Sequence, residues 1–101
     1  MDSYESAIQR LPQSTSVMNS YAWYIFQNKI VERYSRGIQI ARQAVELDPS
    51  ADHIWDTLGQ LLFAAGRVDE AIQAMQKASE LNPQEKSYQE LLIKYKKALN
   101  G

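Results

Sequence analysis

The chain's one histidine, His53, lies three residues before Asp56. On a helix that spacing puts a base and a carboxylate on one face. A catalytic dyad would also need a nucleophile in reach, and the adjacent Thr57 carries no motif that would make it one. One imidazole with one carboxylate is also a poor metal site. The ordinary reading is an exposed pair near a helix N-terminus. There is no cysteine, which excludes disulfides, thiolate catalysis and Cys-ligated zinc. Gly37, Gly59, Gly66 and Gly101 stand too far apart to form a phosphate-cradling loop. Lys94, Lys96 and Lys97 alternate with Tyr95 and Leu99, as on the solvated side of an amphipathic helix. No catalytic residue, cofactor or metal ligand is expected, and the chain does not read as an enzyme.

Whatever these residues do, the elements that carry them are helices. Strand-like alternation is absent, and apolar residues recur at helical spacing. Six segments are predicted. The first runs from Asp2 to Leu11, with Tyr4, Ala7, Ile8 and Leu11 on one face. The second runs from Ser16 to Asn28, with one stripe of Met18, Tyr21, Ala22 and Ile25 and another of Trp23, Phe26 and Ile30. A helix apolar on two sides is buried on two sides. The third runs from Ser35, a candidate N-cap, to Leu47, with Ile38, Ala41, Ala44 and Val45 inward. The fourth runs from Ala51 to Ala65 through Ile54, Trp55, Leu58 and Leu62, and Gly66 supplies a left-handed terminator. The fifth runs from Asp69, as N-cap, to Leu81, with Ala71, Ile72, Met75 and Ala78 inward. The sixth runs from Gln84 to Leu99 and opens on Asn82-Pro83-Gln84-Glu85, read as N-cap, N1 proline and capping-box acid.

The segments repeat. Pro49 and Pro83 are 34 residues apart, and each follows an alanine (Ala44, Ala78) by five. Around them Gly37-Ile38-Gln39 through Glu46-Leu47-Asp48 returns as Ala71-Ile72-Gln73 through Glu80-Leu81-Asn82. A fixed period of this size implies stacked supersecondary units, none of which buries its apolar face alone. Ala7 to Ala44 and Pro12 to Pro49 are instead 37 apart, so the loop Asn28–Tyr34 holds three extra residues. That offset sets Ala22 opposite Gly59, where paired helices approach closely.

Residues 52–83 resemble a tetratricopeptide repeat, whose pattern is W-x2-L-G-x2-Y…A-x3-F…P. Trp55, Leu58, Gly59, Gly66, Ala71, Ala78 and Pro83 match, while Leu62 and Met75 replace the tyrosine and phenylalanine. The preceding unit is looser, with Gly37 and Ala41 standing in for the alanine and phenylalanine. The resemblance implies an all-α fold of stacked antiparallel helix pairs, a right-handed solenoid. Its expected parts are 1–12 as the tail of an earlier unit, 16–49 as a divergent repeat, 50–83 as a well-matched repeat and 84–100 as a capping helix. On that last helix Tyr88, Leu92, Tyr95 and Leu99 keep one face apolar. Gln89 and Lys96 are polar where a further helix would pack, as a terminal repeat needs for solubility. By this reading the chain ends at its own C-terminus and is cut from a longer protein at its N-terminus.

The resemblance also implies a groove lined by the first helix of each unit. By register its residues are Asn19, Trp23, Phe26 and Gln27, then His53, Asp56, Gln60 and Phe63, with Lys94 on the last helix. Trp23, Phe26 and Phe63 would grip a peptide that Asn19 and Gln60 orient. Core packing of Trp23 and Phe26 against the first segment is the competing reading. Capture of a C-terminal carboxylate is not expected, because the lysines are missing and Asp56 would repel it. Crowding of Tyr21, Trp23, Tyr24 and Phe26 implies that the N-terminal half docks on an upstream domain or, as a homodimer, on a second copy.

The function expected is therefore a non-catalytic scaffold that binds a protein or peptide. The alternative is an accessory C-terminal tail of a larger bacterial enzyme, such as one with a thioredoxin-like domain. The stretches Asn19–Tyr24 and Asp56–Leu58 resemble such tails. A net charge of −1 supplies no field for nucleic acid or anionic lipid. No apolar run approaches the ~18 residues that span a bilayer. Met1 to Pro12 has neither the basic start nor the apolar stretch of a signal peptide. Cytoplasm and periplasm both stay open.

Overall fold

A computed structural model describes residues 2–101, and Met1 lies outside the described residues. Among them six α-helices follow one another: α1 (Asp2–Arg10), α2 (Thr15–Gln27), α3 (Tyr34–Leu47), α4 (Asp52–Ala64), α5 (Val68–Leu81) and α6 (Lys86–Asn100). Among the described residues there is no strand. α2 packs on α3 and α4 on α5 as antiparallel pairs. α3 lies against α4 and α5 against α6, so the pairs stack as the repeat requires. The stack measures 40 × 28 × 17 Å. Among the described residues no helix is long and apolar enough to cross a membrane.

Two helix ends show how the repeat is written into the backbone. α4 ends on Gly66 at φ +82°, where the Gly66 N–H reaches the Phe63 carbonyl and the Arg67 N–H the Leu62 carbonyl. α2 ends the same way on Lys29 at φ +53°. The Lys29 N–H bonds the Phe26 carbonyl and the Ile30 N–H the Ile25 carbonyl. Both are paired 5→2 and 6→1 terminators, which glycine enters without the Cβ penalty that Lys29 bears. The three extra residues predicted in this loop appear as a 3₁₀ turn, Val31–Arg33, before α3 begins.

The core is the predicted one with additions. Tyr21, Ala22, Ile25, Ala41, Ala44, Leu61, Ala71, Met75 and Ala78 are fully buried. A Cβ on Gly59 would meet Met75 Cε at 3.1 Å and the Ala71 carbonyl oxygen at 3.4 Å, which is the close approach the repeat needs there. Trp55 is half-buried, and its indole N–H donates to the Pro49 carbonyl at 2.9 Å. Ile40 and Ala74 are buried although they lie off the predicted inward faces, because the second helix of each pair also packs against the next unit. Leu11 and Leu99, expected on apolar faces, are exposed instead, since they lie at the C-terminal ends of α1 and α6.

Three predicted caps are corrected. Ser35 lies inside α3, because the 3₁₀ turn carries the chain straight into that helix. Asp69 lies within the first turn of α5, with Arg67 at the cap. α6 starts at Lys86 with Glu85 as its cap residue, two residues later than expected. Asn82 does not cap it: its side-chain amide donates to Asp52 Oδ2 at 3.2 Å, and a turn closes from the Glu85 N–H to the Asn82 carbonyl. The Tyr88 hydroxyl donates to the same Asp52 oxygen at 2.7 Å, which ties α6 to the start of α4.

Candidate functional site

The residues expected to line a groove lie along the first helices α2, α4 and α6. Asn19 and Trp23 stand one turn apart on α2, opposite His53, Asp56 and Thr57 on α4. Together these five residues line a cavity of about 250 Å³. α2 can lie beside α4 because the residues between them on the core side, Ala22 and Ile25 against Leu58 and Leu61, are apolar and buried. The same register sets Asn19, Trp23 and Asp56, all partly buried, at the edge of that contact and leaves His53 exposed.

The structure brings together Asn19, Trp23, His53 and Asp56. Gln60 joins them indirectly, its amide donating to Asp56 Oδ1 at 2.9 Å. Phe26 leans on Trp23, with ring centroids 5.3 Å apart, and backs it from the next turn. Phe63 lies farther along. It stacks on Tyr95 of α6 with centroids 4.2 Å apart, and Lys94 Nζ sits 5.4 Å from its ring centre. That internal stack occupies one face of Phe63. Gln27 is exposed at the end of α2 and does not line the cavity.

Thr57, one turn from His53, completes the wall. Its hydroxyl donates to the His53 carbonyl at 3.1 Å, not to the imidazole, so no hydroxyl–imidazole–carboxylate relay is assembled. Two groups in the site carry unresolved demands. Asn19 Oδ1 is buried without a hydrogen-bond partner. Burial pushes the Asp56 carboxyl above the usual carboxylate range, and nearby Asp52 and Glu85 push the same way; the Gln60 hydrogen bond and His53 oppose them. Among the described residues no lysine or arginine forms an ion pair with Asp56.

The aromatic cluster at the N-terminal end is largely accounted for within the chain. Tyr4 of α1 stacks on Tyr21 at 5.1 Å and tilts against Tyr24 at 5.6 Å, which leaves Tyr24 37% exposed.

Comparison with known proteins follows from this geometry. The tetratricopeptide repeat family profile matches residues 31–95. The small glutamine-rich tetratricopeptide repeat-containing protein 2 of Mycosarcoma maydis is 31% identical over 83 residues, which are 82% of this chain and 23% of that protein. The chain thus spans under a quarter of that relative's length. The first repeat domain of Spaghetti (RPAP3), solved with the HSP90 peptide SRMEEVD, superposes with a TM-score of 0.88 at 21% identity. That match covers 99% of this chain and 77% of the other. The first such domain of human RPAP3 gives 0.86 at 21% identity, over 98% of this chain and 76% of that one. MamA MSR-1 C2 gives 0.82 at 23% identity, over 96% and 54%.

Proposed function

Because the chain belongs to the tetratricopeptide repeat family, we propose that it is a non-catalytic interaction module holding a segment of a partner protein along α2, α4 and α6. One observation carries this reading. On the face that packing leaves free, Trp23 stands half-buried beside the unpaired, buried Asn19 Oδ1 and the desolvated Asp56. A buried polar atom without a partner is costly, so a site that keeps one is suited to an incoming donor such as a peptide N–H. Phe26 and Phe63 extend the apolar surface at either end, Gln60 holds Asp56 in place, and Lys94 edges the α6 side. One structural neighbour holds an acidic peptide. In this chain the middle of the groove carries Asp56 with no basic side chain paired to it, so an acidic tail is not the expected occupant.

A photoreactive benzoylphenylalanine at position 53, on the groove rim, should crosslink a partner segment in cells of the source organism. The same group at position 73, on the outer face of α5, should not. Trp23→Ala, checked for retained helicity, should abolish the adduct. Equal adducts from both positions, or adducts from position 73 alone, would remove the groove from the account.

A further inference from the structure

We propose that the cavity between α2 and α4 receives a basic side chain of the partner segment, arginine above lysine, with its charge on Asp56, its flat face on Trp23 and one N–H on Asn19 Oδ1. This rests on the groove reading above and names the chemistry that the groove selects.

Three features of the cavity converge on a cation with several donors. The first is Asp56, a largely buried carboxylate that no lysine or arginine among the described residues pairs, with His53 at the rim as its favourable neighbour; Gln60 takes Oδ1 and leaves the second oxygen. Such a charge is stabilised when a partner brings the opposite one. The second is Asn19 Oδ1, an unpaired acceptor closed off from solvent, which a donor entering the cavity engages once the Asn19 side chain turns toward it and which a neutral apolar side chain would leave unsatisfied. The third is Trp23. Its indole is the aromatic surface that attracts a guanidinium most strongly, and its ring neighbour within the chain is Phe26. An arginine fits all three at once, because its planar fork donates in two directions while its face stacks. A carboxylate would meet Asp56 directly and feel Asp52 and Glu85 behind it. His53 at the rim is the one basic group lining the cavity. Lys94 is held over Phe63, outside it. The cavity is a shallow depression of about 250 Å³ open to solvent, so a side chain can lie in it while the rest of the segment continues along the face toward Gln60.

The test uses the whole chain, labelled with nitrogen-15, and four blocked glycine-flanked pentapeptides carrying arginine, lysine, norleucine or glutamate at the centre. The indole N–H of Trp23 reports on the cavity. That of Trp55, bonded to Pro49 outside it, is the internal control. The arginine peptide should move the Trp23 signal and leave Trp55 in place, binding about tenfold tighter than the norleucine peptide. Asp56→Asn should erase that preference. If the variant loses helicity, salt serves instead: arginine binding should weaken as salt rises and norleucine binding should not. Norleucine or glutamate binding as well as arginine would overturn the cation assignment while leaving the groove in use. A preference that survives Asp56→Asn, or a Trp23 signal unmoved by every peptide, would also overturn it; the groove itself stands or falls on the crosslinking at position 53.

Discussion

The Glu5 carboxylate and the Arg36 guanidinium meet through two hydrogen bonds, Nε to Oε2 at 3.0 Å and the terminal nitrogen to Oε1 at 2.7 Å, across 31 residues of chain. The Tyr21 hydroxyl donates to the same carboxylate at 2.7 Å and accepts from Arg33 at 2.7 Å. This network joins α1 to α2 and α3. The Arg36 hydrogen bond is the main reason that Glu5 titrates at about 2, well below the usual carboxylate value, with burial opposing it and Tyr21 helping. A folded-state pKa lowered in this way contributes stability above the unfolded value, about 4.3, and loses it as pH falls toward 2. Acidification should therefore release α1 early. Amide exchange measured at about pH 6 and about pH 3 should show protection lost in α1 while α4 and α5 keep theirs. Glu5→Gln should copy the effect at neutral pH, weakening α1 docking by about 1–2 kcal/mol.

Lys29 and Gly66 occupy the same left-handed position at the ends of α2 and α4, and only one of them is glycine. Lys29→Gly should raise stability by about 0.5–1 kcal/mol, since the Cβ strain removed exceeds the entropy added to the unfolded chain. Gly66→Ala should lower it by about 1 kcal/mol although no atom lies within 4 Å of the new Cβ. Urea unfolding of the two variants checks both, and two shifts of the same sign would contradict the pairing.

These ends also show what was legible in sequence. The 34-residue spacing of Pro49 and Pro83, and the 37-residue spacing of Ala7 and Ala44, led to the helix pairs and to the inserted residues before α3. Which residues share the α2–α4 surface could also be read, because the helical periodicity that assigns Ala22 and Leu58 to the core leaves Trp23 and His53 off it. The Glu5–Tyr21–Arg33–Arg36 network was not legible, since its members belong to three elements and no local spacing links them. The helix starts were misread for a related reason: Asn82 has a capping residue's chemistry, but Asp52, 30 residues away, takes its side chain. Asn19 could be named as groove-lining, yet its lack of a partner is a property of the packed neighbours alone.

Gly59 faces Met75 across the α4–α5 contact. Gly59→Ala should be close to neutral, because a gain of about 1 kcal/mol in helix propensity is offset by pushing back the flexible Met75 methyl, 3.1 Å from the new Cβ. Gly59→Val should destabilise by about 1–3 kcal/mol, as its extra methyls meet the α5 backbone, which cannot yield as a side chain does. Thermal melts of both variants test this; equal melting points would show that the helices do not approach as described.

Tyr88 and Asn82 both donate to Asp52 Oδ2, and the Tyr88 bond is the main reason that the Asp52 carboxyl is held below its usual range. Tyr88→Phe should lower stability by about 1 kcal/mol and raise the pKa of Asp52 toward the ordinary aspartate value. Carbon-13 shifts of the Asp52 carboxyl across an acid titration would read this change directly.

The most direct measurement of the groove is its footprint. Once crosslinking has identified a partner segment, a synthetic copy is titrated into nitrogen-15-labelled chain and backbone amide shifts are mapped. The largest shifts should fall along α2, α4 and α6, centred on Asn19, Trp23, His53 and Asp56. A footprint centred on α3 and α5, or on the α1 side around Ile8 and Leu47, would contradict it.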